Sequence, residues 1–317
     1  MSTLLSFVIP CYRSEHTIRS VIDEIIEVVS EKPEYDYEII AVNDCSPDNV
    51  YKVLSLIAAK NCRVKVIDFA KNMGKHSAIL AGYAVAKGAY IVNLDDDFQC
   101  PVTELWRLLE PVENEGYDVS TAEYIDKKES RGKRIGSAIN SWMSEKMLDK
   151  EKGLRFENFS IMKKYIADEI INYKNPYPYL EGLILRVTRN IKTVVMDERS
   201  RADDNTTGFT FRRSLSLFIN GLTAFSVKPL RFAAVAGFLF AVIGFVYGII
   251  IIVKKLIEPA VPMGYSSIMA VILFSTGLIM IILGLIGEYV GRIYMCINDS
   301  PQYVIKNTIN LENDDNE

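Results

Sequence analysis

Three consecutive aspartates, Asp95, Asp96 and Asp97, are the residues of this 317-residue chain whose types and spacing point most directly to chemistry. They follow the apolar run YIVNL. Carboxylates this close repel one another unless a cation neutralises them, and hard oxygen ligands suit Mg²⁺ or Mn²⁺. Alternate side chains of an extended chain point the same way, so Asp95 and Asp97 face a ligand together while Asp96 points elsewhere. A metal that bridges two phosphates of a nucleotide diphosphate suits this arrangement, and a solvated acidic turn is the alternative.

A further carboxylate and a glycine-containing turn follow two other apolar runs. Asp44 ends the run EIIAVN and precedes turn-forming residues, where its side chain can accept hydrogen bonds from a base or ribose. Residues 71–75 (KNMGK) follow a third run and open a segment of helical period, which places backbone N–H groups and a cation near an anion site. Each has a structural alternative, since Asp44 can cap a helix and Gly74 can serve a turn.

The elements that carry these residues alternate between strand and helix patterns. Short apolar runs at 5–9, 38–42, 64–69 and 90–94 predict buried strands, with helical segments such as 18–29 and 77–85 between them. This alternation predicts a parallel, doubly wound α/β sheet. Ligands bind at the carboxyl ends of the strands of such sheets, where this chain has Pro10-Cys11-Tyr12, Asn43-Asp44 and Asp95-Asp96-Asp97.

Composition narrows the class of partner. The formal net charge is −4, and no Lys/Arg tract interleaved with aromatic residues precedes residue 200, so the sequence predicts no nucleic acid partner. Five cysteines without a CxxC pair indicate neither a zinc site nor a disulfide framework, which favours a reducing compartment. The first residues, MSTLLSFVIPCYRS, are typical of a strand and unlike a signal peptide. We therefore expect the N-terminal part to stay in the cytosol.

The C-terminal third is overwhelmingly apolar. The uncharged runs 232–253 and 268–286 contain 22 and 19 residues, where a membrane span needs roughly 20. They predict two transmembrane helices, at about 232–253 and 268–290. Basic residues flank the outer ends of the pair, a distribution that favours both ends inside.

The segment between the mixed N-terminal part and the first span has its own pattern. Residues 211–227 repeat apolar side chains at helical spacing after two arginines, which predicts an amphipathic helix lying at the membrane surface. A helix packed on the N-terminal domain is the alternative. The final residues, LENDDNE, predict a solvated, disordered end.

Taken in order, the motifs FVIPCYRSE, VNDCSPD and KNMGKHSAILAGYAVAKGAYIVNLDDDFQCP resemble the inverting family 2 glycosyltransferases, and within them the branch that transfers sugars to dolichyl or undecaprenyl phosphate. The resemblance covers nearly the whole chain, including NPYPYLEGLILRVTRNI, FSVKPLRF and both spans. It implies a GT-A-type, mainly parallel α/β fold. It also implies four segments: a cytoplasmic nucleotide-sugar-binding catalytic domain (1–210), a juxtamembrane amphipathic segment (211–230), two transmembrane helices (231–291) and a cytoplasmic tail (292–317).

The resemblance further implies roles for individual residues. On the donor side, the residues at the nucleotide sugar are Pro10, Tyr12, Glu15, Asp44, Lys75, Asp95 and Asp96, and those at an Mg²⁺ or Mn²⁺ ion are Asp95, Asp97 and Gln99. On the acceptor side, the residues around the lipid phosphate are Lys133, Arg134, Ser137 and Arg201, which together with Asp97 form the catalytic group. A basic cluster beside a membrane is also what a lipid phosphate requires, because arginine pairs bidentately with phosphate oxygens. A solvated basic helix face is the alternative.

Three places depart from the family's pattern. Glu123 stands where many relatives have an arginine, and Asn158 replaces an acid. The loop RSRADDNTTGFTF matches the family's Arg-rich loop only with a one-residue slip, which places Phe209 where a tyrosine is usual. The role implied for Arg201 depends on that slip.

The predicted reaction is a metal-dependent transfer of a hexose-type sugar from a nucleotide diphosphate sugar to undecaprenyl or another polyprenyl phosphate, with UDP the carrier that the resemblance implies. A phosphate monoester, with a second pKa of ~6, is already a dianion near neutral pH, so its oxygen can attack the anomeric carbon without a general base. The chain contains neither QxxRW nor the acidic ED pair of processive synthases, which favours a single transfer.

Two other functions remain compatible with these residues. One is a transferase acting on a lipid or glycan hydroxyl, for which Asp126 and Glu123 are the candidate bases. The other is a non-catalytic membrane scaffold. The expected location is the bacterial inner membrane, with a multi-pass anchor and the catalytic domain in the cytoplasm. The resemblance also implies a homo-oligomer, and the glycines of both spans permit close helix packing.

Overall fold

The computed structural model describes two compact units. The described residues are 2–124, 154, 156–176, 178–197, 199, 228–257, 264–298 and 300–311. One unit combines Met1–Ser214 with Asp299–Glu317, and the other is Leu215–Asn298. The apolar segment is therefore a unit of its own, whereas the residues that follow it belong with the N-terminal part. The amphipathic segment predicted at 211–227 lies outside the described residues.

Strands and helices alternate through the first 124 residues, as predicted. They are β1 (Thr3–Cys11), α1 (Ile18–Ser30), β2 (Tyr35–Asn43), α2 (Val50–Ala58), β3 (Val64–Phe69), α3 (Lys75–Val85), β4 (Tyr90–Asn93), α4 (Leu105–Glu113) and β5 (Val119–Tyr124). The four predicted strands are all present. β1 and β2 are longer than predicted: each begins with two partly buried residues, and Cys11 and Asn43 extend the buried part beyond the apolar run.

The sheet is completed by elements from later in the chain. These are β6 (Ser160–Lys163), α5 (Lys164–Ile170), α6 (Leu180–Val187), β7 (Ile191–Met196) and β8 (Ile305–Ile309). The strand order is β7-β5-β6-β4-β1-β2-β3-β8. β4, β1, β2 and β3 are parallel neighbours, which confirms the predicted parallel core. β6 and β8 run antiparallel to their neighbours, so the whole sheet is mixed.

Both faces of the central strands are buried. Leu5, Phe7 and Ile9 of β1 pack in one core cluster with the apolar stripe of α1. Val8 points to the opposite face and lies against Gly82 of α3, where an added β-carbon would overlap the valine side chain. Helices on both faces explain why the strands are continuous apolar runs and lack an alternating pattern.

The segment after the apolar unit returns to the sheet. β8 pairs antiparallel with β3, with Val66 opposite Ile309 and Asp68 opposite Asn307. Residues 292–317 were expected to form a cytoplasmic tail. Within this segment, the preceding helix continues to Ile297, and β8 forms an edge strand of the sheet.

The second unit is a pair of long helices, α7 (Lys228–Ile257) and α8 (Tyr265–Ile297). The stretches Ala233–Ile250 and Phe274–Ile297 are long and apolar enough to cross a membrane. Large apolar side chains point outward, with Phe238 69% and Phe245 71% exposed. The helices meet where the rings of Phe240 and Phe274 lie 5.7 Å apart. A surface this apolar is the kind that a bilayer covers.

Candidate active site

The carboxyl ends of β4, β1 and β2 meet at one edge of the sheet. The backbone N–H of Tyr12, just after β1, donates to Asp96 Oδ2 after β4 at 2.8 Å. The backbone N–H of Asp44, just after β2, donates to the Cys11 carbonyl at 3.1 Å. Hydrogen bonds therefore join the three strand ends where the sequence predicted polar side chains to gather.

Asp96 turns inward, as the alternation of side chains predicted. Its carboxylate accepts the Tyr12 N–H, and its carbonyl accepts the Thr17 hydroxyl at 2.5 Å. The residue is half-buried, but its carboxylate is enclosed by neighbouring atoms. Loss of hydration raises the pKa of Asp96 to about 6, and the nearby charges of Asp95 and Asp97 act in the same direction. The contacts of Asp96 hold the β1–α1 loop.

Asp95 is held by side chains from two distant segments. Lys75 Nζ pairs with Asp95 Oδ1, and Asn158 Nδ2 donates to Asp95 Oδ2 at 2.5 Å. Asn158 was a departure from the family's pattern. Its amide donates a hydrogen bond, whereas an acid at this position would bring another negative charge to the aspartates. Asp95 therefore has a cation and a neutral donor beside it.

Asp97 begins a tight turn. The Gln99 backbone N–H donates to Asp97 Oδ1 at 3.1 Å, and Phe98 between them has φ +64°. A bulky residue in the left-handed region is an outlier and requires outside contacts to hold it. The resemblance implied a metal-binding role for the Gln99 side chain, and in the structure the Gln99 backbone also shapes the turn beside Asp97.

Arg199 supplies those outside contacts, a role that the sequence analysis missed. Its backbone N–H donates to the Gln99 carbonyl at 3.4 Å, and its guanidinium lies 5.1 Å from the centre of the Phe98 ring. Both terminal nitrogens bind the Glu24 carboxylate of α1, at 2.7 and 2.8 Å. The Glu24 pairing raises the pKa of Arg199. The loop RSRADDNTTGFTF was considered for Arg201 alone, and nothing local in the sequence marks the pairing of Arg199 with Glu24.

Asp44 is held by the backbone. Its carboxylate accepts the N–H groups of Met73 at 2.6 Å and Gly74 at 2.9 Å, and its carbonyl accepts Asn72 Nδ2 at 3.1 Å. Gly74 has φ +89°, a conformation that other residues rarely adopt. Burial raises the pKa of Asp44 against the effect of the two N–H groups. Two of the N–H groups of residues 71–75 that were expected near an anion site thus donate to this carboxylate.

The remaining donor-side candidates line the same edge. Glu15 Oε2 accepts the Asn49 N–H at 2.8 Å, and the Glu15 N–H donates to Asp48 Oδ2 at 3.0 Å. Tyr12 is 44% exposed. Pro10 is buried within β1 opposite Val42, so its part is to shape the strand end.

The first residues of α3 connect the two acidic strand ends. The N–H of Gly74, which precedes the helix, binds Asp44, and the side chain of Lys75 binds Asp95. His76 follows, with its ring edge-on to Tyr179 and its Nδ1 atom enclosed without a hydrogen-bond partner among the described residues. Desolvation lowers the pKa of His76 to about 4, and the charge of Lys75 acts in the same direction. The start of α3 is therefore the shared support of both acidic groups.

Comparison with known protein families shows which family this chain belongs to. Residues 6–171, which contain every donor-side position described above, match the family described as glycosyl transferase family 2. The chain belongs to this family. Residues 228–293 match a second family, the GtrB C-terminal hairpin, which corresponds to α7 and α8. The protein is thus a glycosyltransferase with a C-terminal helical hairpin.

Relatives match over nearly the whole chain. An uncharacterized glycosyltransferase of Bacillus subtilis is 33% identical, covering 97% of this chain and 95% of the relative. An undecaprenyl-phosphate 4-deoxy-4-formamido-L-arabinose transferase of Proteus mirabilis is 30% identical, covering 97% and 94%. The family prediction made from the motifs is confirmed.

A solved glycosyltransferase shares the fold. The glucosyl-3-phosphoglycerate synthase of Mycobacterium tuberculosis, in complex with Mn²⁺, uridine diphosphate and phosphoglyceric acid, superposes with a TM-score of 0.51 at 18% identity. The match covers 68% of this chain and 75% of the synthase. The GT-A-type fold that the resemblance implied is confirmed.

The structure does not describe the residues predicted to bind the acceptor phosphate. Lys133, Arg134, Ser137 and Arg201 lie outside the described residues, as do Asp126 and Phe209. Within the described part of the chain, no three His, Cys, Asp or Glu side chains are arranged to hold a metal ion. Of the predicted site residues, the described part of the chain therefore contains the donor-side candidates and Asp97.

Proposed function

We propose that this glycosyltransferase moves a hexose-type sugar from a UDP-linked donor to undecaprenyl phosphate or another polyprenyl phosphate, with inversion at the anomeric carbon. The observation that carries the proposal is the placement of Asp44 and the Asp95–Asp97 turn after strands at one sheet edge, where Gly74 and Lys75 at the start of α3 bind Asp44 and Asp95. The acceptor class is supported by the Proteus mirabilis relative, whose name specifies undecaprenyl phosphate and which aligns over 97% of this chain.

The donor nucleotide would lie along the loops after β1 and β2. Asp44 is oriented by two backbone N–H groups, so it offers its remaining lone pairs to a base or ribose from a fixed position. The exposed ring of Tyr12 and the carboxylate of Glu15 border the same space. Because the Asp44 carboxylate is already fixed by the backbone, a hydrogen bond from the nucleotide to it costs little conformational entropy.

A divalent cation fits the triple-aspartate turn when the donor supplies ligands. Asp95 and Asp97 provide hard oxygen atoms, which Mg²⁺ and Mn²⁺ prefer. Two protein carboxylates are compatible with such ions when substrate phosphates complete the coordination. When bound, the cation neutralises charge that develops on the departing nucleoside diphosphate. Lys75 pairs with Asp95, so its positive charge lies beside the proposed cation site.

The acceptor phosphate needs orientation more than activation. A phosphate dianion is a nucleophile near neutral pH, because its second pKa is ~6. Lys133, Arg134, Ser137 and Arg201 would hold it in line with the anomeric carbon, a contribution of proximity. Glu123, at the end of β5, would border this side of the pocket.

The hairpin would keep the active site at the lipid surface. Two spans joined by a short connection place both ends of the hairpin on the same side of a bilayer, and the basic flanking residues favour the cytoplasmic side. The family resemblance also supports a homo-oligomer located in the bacterial inner membrane.

A transfer assay tests this function. Purified protein in detergent is incubated with undecaprenyl phosphate, Mn²⁺ or Mg²⁺, and a panel of UDP- and GDP-sugars. The proposal expects one UDP-hexose to yield a lipid product whose sugar is released by mild acid, since glycosyl phosphates are acid-labile. A product that resists mild acid, formed only with a hydroxyl acceptor, would replace the proposed acceptor. No turnover with any donor would favour a scaffold.

A further inference from the structure

The segment that follows the hairpin makes specific contacts with the nucleotide side of the sheet. Beyond the β8–β3 pairing, the Ala70 N–H donates to the Val304 carbonyl at 2.9 Å. The ring of Tyr303 stacks on Phe69, with centroids 5.3 Å apart and planes 3° from parallel. Ala70 begins the loop whose N–H groups, three and four residues later, hold Asp44. The root of that loop is therefore attached to residues more than two hundred positions away in sequence.

A chain of side-chain hydrogen bonds continues inward from β8. Asn307 Nδ2 donates to Asp68 Oδ2 at 3.3 Å, and Asn43 Nδ2 donates to Asp68 Oδ1 at 2.7 Å. Asn43 Oδ1 in turn accepts the Ser46 N–H at 3.2 Å. Asn43 and Asp68 are 4% and 5% exposed, so their polar atoms depend on these partners.

Ser46 links this chain of hydrogen bonds to the β1–α1 loop. Its hydroxyl oxygen accepts the Arg13 N–H at 2.8 Å, and its hydroxyl donates to Asp48 Oδ1 at 2.6 Å. The other oxygen of Asp48 accepts the Glu15 N–H at 3.0 Å. Each link joins a donor to an acceptor, so the chain runs from Asn307 to the loops that carry Tyr12, Glu15 and Asp44.

We propose that residues 302–310, which follow the hairpin, position the nucleotide-binding loops 12–15 and 43–49, and that Asn307 is the positioning residue. The functional part of this inference rests on the proposed use of those loops to bind a nucleotide. Asn307 acts through Asp68 and Asn43 and does not touch the donor. An intact catalytic domain thus includes sequence on both sides of the hairpin.

The chain offers a matched control three residues further on. Asn310 Nδ2 donates to the carbonyls of Ala58 at the end of α2, at 2.8 Å, and of Val64 at the start of β3, at 2.9 Å. An aspartate at either position replaces a donor with an acceptor that faces oxygen atoms. Only Asn307→Asp, however, places a carboxylate next to Asp68. It therefore disrupts the hydrogen bonds that lead from Asp68 to the nucleotide loops.

The test uses full-length protein in detergent and compares wild type with Asn307→Asp, Asn307→Ala and Asn310→Asp. Hydrogen–deuterium exchange of residues 43–49 should quicken about 10-fold in Asn307→Asp, less in Asn307→Ala, and little in Asn310→Asp. The dissociation constant for UDP should rise about 5-fold in Asn307→Asp, whatever the change in melting temperature.

Unchanged exchange at 43–49 in Asn307→Asp, or an equal change in Asn310→Asp, would overturn the inference. The exchange measurement needs no substrate, so it separates this inference from the proposed function. If wild type binds no nucleotide and transfers no sugar, the proposed function fails, and the exchange result alone decides whether residues 302–310 position these loops.

Discussion

Asp44 and the Asp95–Asp97 turn are acidic groups at strand ends of one sheet, but they are held in different ways. Asp44 accepts two backbone N–H groups, and its position is therefore set by the main chain. Asp95 is held by the side chains of Lys75 and Asn158, which can move away from it. An acid held by the backbone suits a fixed substrate contact. An acid paired with a side-chain cation can exchange that partner for a metal ion.

The two groups share one support, the start of α3. Gly74 contacts one group and Lys75 the other, so the separation of the acids depends on a single turn of chain. If the proposed function is correct, this arrangement couples the placement of the nucleotide to the placement of its diphosphate. If the two acids have different roles, perturbing each of them or their shared support should have different effects.

Removal of divalent cations should affect the triple-aspartate side alone. Treatment with EDTA is expected to lower sugar transfer by about 100-fold or more, because charge on the leaving diphosphate loses its main stabilisation. Addition of Mn²⁺ or Mg²⁺ should restore transfer. The melting temperature should change little, since Asp44 and its loop need no metal. Transfer at the full rate in EDTA would contradict the assignment.

Replacement of Asp44 should affect folding as well as binding. Asp44→Ala removes the acceptor of two N–H groups and is expected to lower the free energy of unfolding by about 2 kcal/mol. The donor KM should rise as well. Asp44→Asn keeps one oxygen acceptor and should lie between wild type and Asp44→Ala in urea denaturation. Equal stability of all three proteins would show that the loop does not depend on this carboxylate.

Acid should loosen the shared support through His76. The folded-state pKa of about 4 lies below the ordinary value of 6.5, so the folded protein favours the neutral ring. The resulting stability is fully present above pH 6.5 and is lost as the pH falls through 4. We expect a loss of about 2 kcal/mol, reduced from the full linkage because the residue keeps some solvent contact.

His76→Phe tests this pH dependence. Phenylalanine keeps the edge-on contact with Tyr179 without a titratable group, so its unfolding free energy should vary less between pH 6.5 and pH 4 than that of wild type. Parallel pH profiles of the two proteins would rule out His76 as the source.

Replacement of Lys75 should have the smallest effect. Lys75→Met leaves Asp95 with Asn158 as its described partner and is expected to lower kcat/KM about 10-fold, whereas Lys75→Arg should stay within about 3-fold of wild type. Both variants should keep the melting temperature, because Lys75 is partly exposed. Wild-type kcat/KM in Lys75→Met would make the pairing with Asp95 incidental.

The predictable part of the molecule was local in sequence. β1 to β4 follow from apolar runs, and the gathering of Tyr12, Asp44 and Asp95–Asp97 follows from the geometry of parallel strands. The two long helices follow from length and hydropathy. In each of these cases, neighbouring residues carry the pattern.

The parts that were missed depend on distant partners. β8 is short, and the hairpin sequence separates it from its partner strand β3. Its pairing therefore cannot be recognised from neighbouring residues. Arg199 pairs with Glu24 of α1, and the sequence alone does not distinguish it from Arg201. Asn158 was interpreted as a lost acid, yet its amide contacts Asp95 from a distant segment.

The most direct test of the account is sugar transfer to undecaprenyl phosphate by Asp97→Asn, measured beside Asp44→Asn and the exposed control Asp23→Asn. The account predicts a loss of at least about 100-fold in kcat for Asp97→Asn with nucleotide binding and melting temperature retained. Asp44→Asn should mainly raise the donor KM, and Asp23→Asn should match wild type. A fully active Asp97→Asn enzyme would contradict the proposed division between a donor-holding acid and a catalytic acidic turn.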